Sequence, residues 1–182
     1  MKLDIVTAYN KYQFLGYEFL LWLWYASEKE PKAINYFADV DRSVEITVGN
    51  SITIEIQGTG YPEKVIIKRE DAGFEEAFLF IKKGGVIAQI NLVFKIDDLE
   101  FCFDLKGDDF SVRNLRCTSG TMPPPTSDEI EGAILEKWFL NSEVFGCLDF
   151  LYDHFIEIRL ADELRKNLVS KIGQRVSGSI KD

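Results

Sequence analysis

The strongest constraint on this chain lies between residues 86 and 105, where apolar and polar residues alternate through two runs joined by one acidic dipeptide. Val86, Ala88, Ile90, Leu92, Phe94 and Ile96 alternate with Gln89, Asn91 and Lys95; after Asp97-Asp98, Leu99, Phe101, Phe103 and Leu105 alternate with Glu100, Cys102 and Asp104. Successive side chains of a strand point to opposite faces, so each run presents one apolar and one polar side. A long antiparallel hairpin with one buried face follows.

The remaining elements assemble around that hairpin. Residues 11 to 29 carry Leu and aromatic side chains on nearly every side of a helical wheel, which predicts a helix packed on most faces and ended near Pro31. VEITV (44 to 48) and ITIEI (52 to 56) alternate on either side of Gly49-Asn50-Ser51, a turn signal that predicts a further hairpin. Beyond the turn-rich Gly58 to Pro62, Val65 to Lys68 reads as a strand leading into a helix near Asp71. In that helix Phe74, Ala77, Phe78 and Ile81 share one face, and Gly84-Gly85 supply the stop. A short strand is expected near Phe110-Ser111-Val112, and Pro123-Pro124-Pro125 separate sheet from helix. From Asp128 onward, apolar residues from Ile130 to Ile158 recur at spacings of three to five, as one long helix or two broken near Gly146. The expected fold is a single α+β domain over 1–182. It has a mainly antiparallel sheet of two hairpins packed with an aromatic N-terminal helix, a middle helix and long C-terminal helices.

Composition narrows the function classes. With 182 residues and 46 % hydrophobic content, the chain can bury roughly 70 % of its unfolded surface, so neither disulfide nor structural metal is required. Cys102, Cys117 and Cys147 are odd in number and widely spaced, as for free thiols in a reducing compartment. No apolar run approaches the ~20 residues that cross a bilayer and no leader pattern opens the chain, which predicts a cytoplasmic protein.

Catalytic constellations are weak. His154 is the only histidine, and Cys147, seven residues earlier, lies ~10 Å away along a helix, too far for a thiolate–imidazole pair. No C-x-x-C pair accompanies His154 for zinc, and no phosphate-cradling glycine motif follows a strand. Asp97, Asp98, Asp104, Asp108 and Asp109 have the spacing of turn residues rather than of Mg²⁺ ligands for a nuclease. Glu18, set among Phe14, Phe19, Leu21 and Trp22, either meets a cation or faces solvent. No catalytic residue, cofactor, metal or small-molecule substrate is expected.

Charge is more informative. The total is −9, which opposes indiscriminate binding to phosphate. Its distribution is uneven: residues 1–158 hold 15 basic and 27 acidic side chains, whereas 159–182 hold six basic and three acidic ones. That C-terminal arm contains Arg165, Lys166, Lys171 and Arg175, while Lys64, Lys68 and Arg69 cluster on one strand, with Lys82 and Lys83 ending the next helix. These cations are the candidate phosphate-backbone contacts; the alternative is a solvated helix end favoured by the dipole.

The order from Lys64 through VIIKREDAGFEEAFLFIKKGG, the long hairpin to Cys117, and the Phe-rich LEKWFLNSEVFGCLDFLYDHF resembles the C-terminal part of the recombination-associated RdgC family. Residues 18 to 28, EFLLWLWYASE, look like a motif of shorter RdgC-like proteins. The resemblance covers roughly residues 18 to 156 and rests on hydrophobic and turn residues. It implies a non-enzymatic, nucleoid-associated homodimer that binds DNA without sequence preference and modulates recombination, with Lys68 and Arg69 in the basic finger. The rival expectation is an acidic protein-interaction module without a nucleic-acid role, in which the aromatic helix supplies Trp22 and Trp24 as anchors.

Overall fold

The structure, a computed structural model, describes residues 5–29, 44–56, 63–69, 75–96, 99–117 and 130–160. Along these the elements are α1 (Ile5–Lys29), β1 (Val44–Ile56), β2 (Glu63–Lys68), α2 (Glu75–Lys82), β3 (Val86–Ile96), β4 (Leu99–Lys106), β5 (Val112–Cys117) and α3 (Ile130–Leu160). All strand pairs are antiparallel, in the order β2-β1-β3-β4-β5. The α+β architecture, its mainly antiparallel sheet and the aromatic N-terminal helix are as the sequence predicts.

The alternation of β3 and β4 fixes the layers. Register pairs Ile90 with Leu105, Leu92 with Phe103 and Phe94 with Phe101, and β1 continues these rows through Ile52, Val48 and Ile46. Every one of these side chains is buried. Against them pack Phe19, Leu20, Leu23 and Trp24 of α1, with Phe78 of α2 stacked on Trp24 at 4.5 Å and Phe155 of α3 beside Phe19 at 5.5 Å. Thus the described helices sit on the apolar face, and no described helix covers the polar face of the sheet. α2 ends as expected: Gly84 has φ 89, and the Gly85 N–H donates to Phe80 O at 3.0 Å.

Several sequence expectations are corrected. Gly49-Asn50-Ser51 does not reverse the chain; β1 is one 13-residue strand that pairs on both sides. Its register against β3 slips between Val48 and Ile52, so the expected turn is a bulge. The turn signal is satisfied without a reversal, because neighbours complete its hydrogen bonds: Arg69 N–H donates to Asn50 O at 2.8 Å, and the Asn91 side chain accepts from Asn50 N–H at 3.2 Å. A second slip, at Ala88 in β3, places Ile87 opposite Ile54 and takes Ala88 out of the expected alternation. The strand expected at Phe110 starts at Val112, since Gly107 to Asp109 form a turn and Phe110 is held at φ 54. α3 is one helix that runs through Gly146 unbroken. Pro31, the Gly58 to Pro62 turn, Asp71, Asp97-Asp98 and the proline run lie outside the described residues.

Candidate nucleic-acid interface on the open sheet face

The open face is read directly from the register. Across it run Lys64, Ile66 and Lys68 of β2, Glu45, Thr47, Thr53 and Glu55 of β1, Asn91, Val93 and Lys95 of β3, Glu100, Cys102 and Asp104 of β4, and Arg113 and Arg116 of β5. At its centre Asn91 is almost fully buried, and its amide nitrogen donates to Asp104 Oδ1 at 2.8 Å and to Phe103 O at 3.2 Å. The other carboxylate oxygen of Asp104 accepts from Asn114 Nδ2 at 2.7 Å. Asn114 stands at φ 55, within the stretch where β5 carries one extra residue against β4; Asn tolerates this left-handed geometry better than most residues. Gly49 closes the network: a Cβ there would lie 2.0 Å from Asn91 Oδ1.

The charges fall into two groups. Lys64 pairs with Glu55 at 3.3 Å, Lys106 pairs with Asp108 at 3.1 Å, and Lys95 stands in register between Glu45 and Glu100. Around the Asn91–Asp104–Asn114 network lie Lys68 and Arg69 at one edge and Arg113 and Arg116 at the other, with Arg113 opposite Asp104 in register. All four cationic residues are exposed. The Arg69 guanidinium also donates to Val48 O at 2.9 Å, which holds it over the bulge. Four strand spacings of ~4.8 Å separate the edges by ~19 Å.

The structure therefore brings Lys64, Lys68 and Arg69 to one sheet edge and places Lys82 and Lys83 elsewhere. Those two belong to the end of α2, in the helical layer, where Lys83 Nζ lies 5.8 Å from the Phe80 ring centroid. Arg165, Lys166, Lys171 and Arg175 lie outside the described residues. Arg159 is committed to Glu18 at 2.5 Å, so Glu18 meets a cation at an exposed position, and that hydrogen bond holds the guanidinium pKa above its ordinary value. Trp22 and Trp24 are not surface anchors: they are 3 % and 1 % exposed, because α1 is covered on more than one side, Trp22 packing against Phe155 of α3 and Trp24 against Phe78 of α2.

Sequence reasoning missed Arg113, Arg116 and the Asn91–Asp104–Asn114 network. The alternation of β4 places Asp104 on the wet face, but the apolar signal at Phe110 sets the partner strand too early in the chain for the arginines to align with it. The other residues considered for chemistry have local roles. Asp109 Oδ1 accepts from Ser111 N–H at 2.9 Å, which makes it a turn carboxylate, and His154 packs edge-on against Trp22. None of the three cysteines forms a disulfide, and no group of His, Cys, Asp and Glu among the described residues has the geometry to hold a metal ion. An apolar cleft of about 220 Å³ lies between α1, α3 and the β4–β5 turn, lined by Phe19, Leu105, Phe110, Phe145, Leu148, Asp149 and Tyr152. No described helix is long and apolar enough to cross a membrane. No family model matches the chain, and no curated protein or solved structure is significantly similar to it.

Proposed function

We propose that this chain is a non-enzymatic, RdgC-like protein that contacts the phosphate backbone of DNA without sequence preference, through the open face of its sheet. The observation that supports this reading is the placement of Lys68, Arg69, Arg113 and Arg116 on either side of the Asn91–Asp104–Asn114 network in a chain of net charge −9. Cations at the two edges suit a phosphate backbone laid across the strands. The absence of aromatic side chains among the described residues of this face favours phosphate over base recognition. Release of counterions from about four phosphates makes affinity fall by roughly a hundredfold between 50 and 200 mM salt. A fluorescence titration with labelled duplex and single-stranded DNA at the two salt concentrations tests it. Lys68→Glu with Arg69→Glu should abolish binding, and so should Arg113→Glu with Arg116→Glu; a titration indifferent to salt and to both pairs would refute the reading.

A second reading, protein interaction without a nucleic-acid role, is favoured by a different observation: the apolar side chains that α3 exposes, including Trp138. A stable complex with a protein partner, together with no DNA binding at low salt, would place function there.

A further inference from the structure

The cleft between α1, α3 and the β4–β5 turn is walled by four aromatic side chains and one carboxylate. Phe145, Asp149 and Tyr152 recur at i, i+4 and i+7, so α3 turns one face to the cleft, while α1 supplies Phe19 and the turn supplies Phe110. The Tyr152 ring stands at 87° to Phe19 with centroids 5.3 Å apart, and at 75° to Phe110 with centroids 5.0 Å apart. These rings make a corner rather than a stack. Water reaches two of the walls, since Phe110 is 38 % exposed and Phe145 45 %.

Phe110 occupies its place at a conformational cost. It stands at φ 54, a region that bulky side chains seldom adopt. Residues held in such conformations cluster at active sites and ligand clamps. The turn that carries it rests on α1, because a Cβ on Gly16 would lie 1.8 Å from the Gly107 carbonyl oxygen.

We infer that this cleft binds a small quaternary ammonium compound, a free molecule bearing a trimethylammonium group. Aromatic rings attract cations through the negative potential of their faces, and a ring of aromatic walls is the known means of holding a methylated ammonium. Asp149 supplies the complementary charge: no lysine or arginine lines the cleft, and no described residue forms an ion pair with this carboxylate. Arg159, whose charge acts on Tyr152, is tied to Glu18. A primary ammonium brings three N–H donors to a lining that is mostly apolar, whereas a trimethylammonium group has no donor to satisfy. Size agrees with a free molecule: the cleft holds about 220 Å³, somewhat more than the ~150 Å³ that receives benzene. This inference goes beyond the phosphate reading and shares no residue with it.

Isothermal titration calorimetry of the full chain with choline chloride, at constant ionic strength, tests it. Saturable binding to one site is expected. The neutral isostere, with a tert-butyl group in place of the trimethylammonium, should bind roughly tenfold more weakly. Phe145→Leu keeps an apolar wall but removes the ring, and should weaken choline binding roughly fivefold; Asp149→Asn should do the same by removing the charge. Both positions are exposed, so the circular dichroism of each variant should match that of the wild type. A peptide carrying trimethyl-lysine presents the same group from another source and should bind no more tightly than choline. Absence of saturable choline binding overturns the inference, as does equal affinity for the neutral isostere or an affinity indifferent to both substitutions. Tighter binding of the peptide overturns the assignment to a free molecule. Neither substitution touches the sheet face, so DNA titrations judge the phosphate reading separately.

Discussion

Asn91 commits both ends of its amide, one to the bulge of β1 and the other to β4, at a position that water scarcely reaches. Replacing it with Leu keeps the number of side-chain heavy atoms but leaves the Asn50 N–H and one Asp104 oxygen without their partner. An unsatisfied buried group costs about 1–3 kcal/mol, so Asn91→Leu should lower the unfolding free energy by that order, read as a reduced urea midpoint with unchanged m. Asp109 makes a pH-dependent contribution. Hydrogen bonding from Ser111 holds its carboxyl below the ordinary value, assisted by nearby Lys106 and opposed by partial burial. A depressed folded-state pKa means stability that is present above the unfolded value and is lost as pH falls toward the folded one. Asp109→Asn should therefore reduce stability at neutral pH and narrow its difference from wild type in acid. Parallel acid-unfolding curves would contradict that assignment.

Between elements, a close backbone approach joins α1 to the turn after β4. A Cβ on Gly16 would lie 1.8 Å from the Gly107 carbonyl oxygen, so the helix backbone rests directly on the turn. Gly16→Ala must push the two apart and should cost about 1–3 kcal/mol, measured by chemical unfolding. The tryptophans give a sharper contrast. Trp22→Ala opens the core and should cost about 3–5 kcal/mol, whereas Trp138→Ala in dilute, monomeric protein should stay within ~0.5 kcal/mol of wild type. Residue type alone does not distinguish them; both lie in long apolar helices. Neighbouring elements cover one and leave the other bare. The same logic explains the bulge at Gly49: glycine and asparagine license a sharp backbone in either a turn or a bulge, and the pairing of β1 with strands on both sides selects the second.

Over the whole molecule, the net charge of −9 sets the far field, while the sheet order sets which cations become neighbours. Lys64, Lys68 and Arg69 were legible as a cluster because they are neighbours along one strand. Arg113 and Arg116 were not, because they come within reach of the same surface only when β5 pairs with β4 and β3 pairs with β1 across the sheet. If the two cationic edges act together, replacing either pair by Gln should weaken DNA binding and reduce its salt dependence, with a log–log slope smaller in magnitude by about two. Local periodicity determined the strands, the helices and which side of each is apolar, since a period of 2 or 3.6 is written in consecutive residues. Only the tertiary structure decided that Trp22 and Trp24 are core, that residues 49 to 51 form a bulge, and that distant arginines border the Asn91–Asp104–Asn114 network. Those outcomes depend on which elements become neighbours, and packing between residues far apart in sequence leaves no periodic trace in either of them.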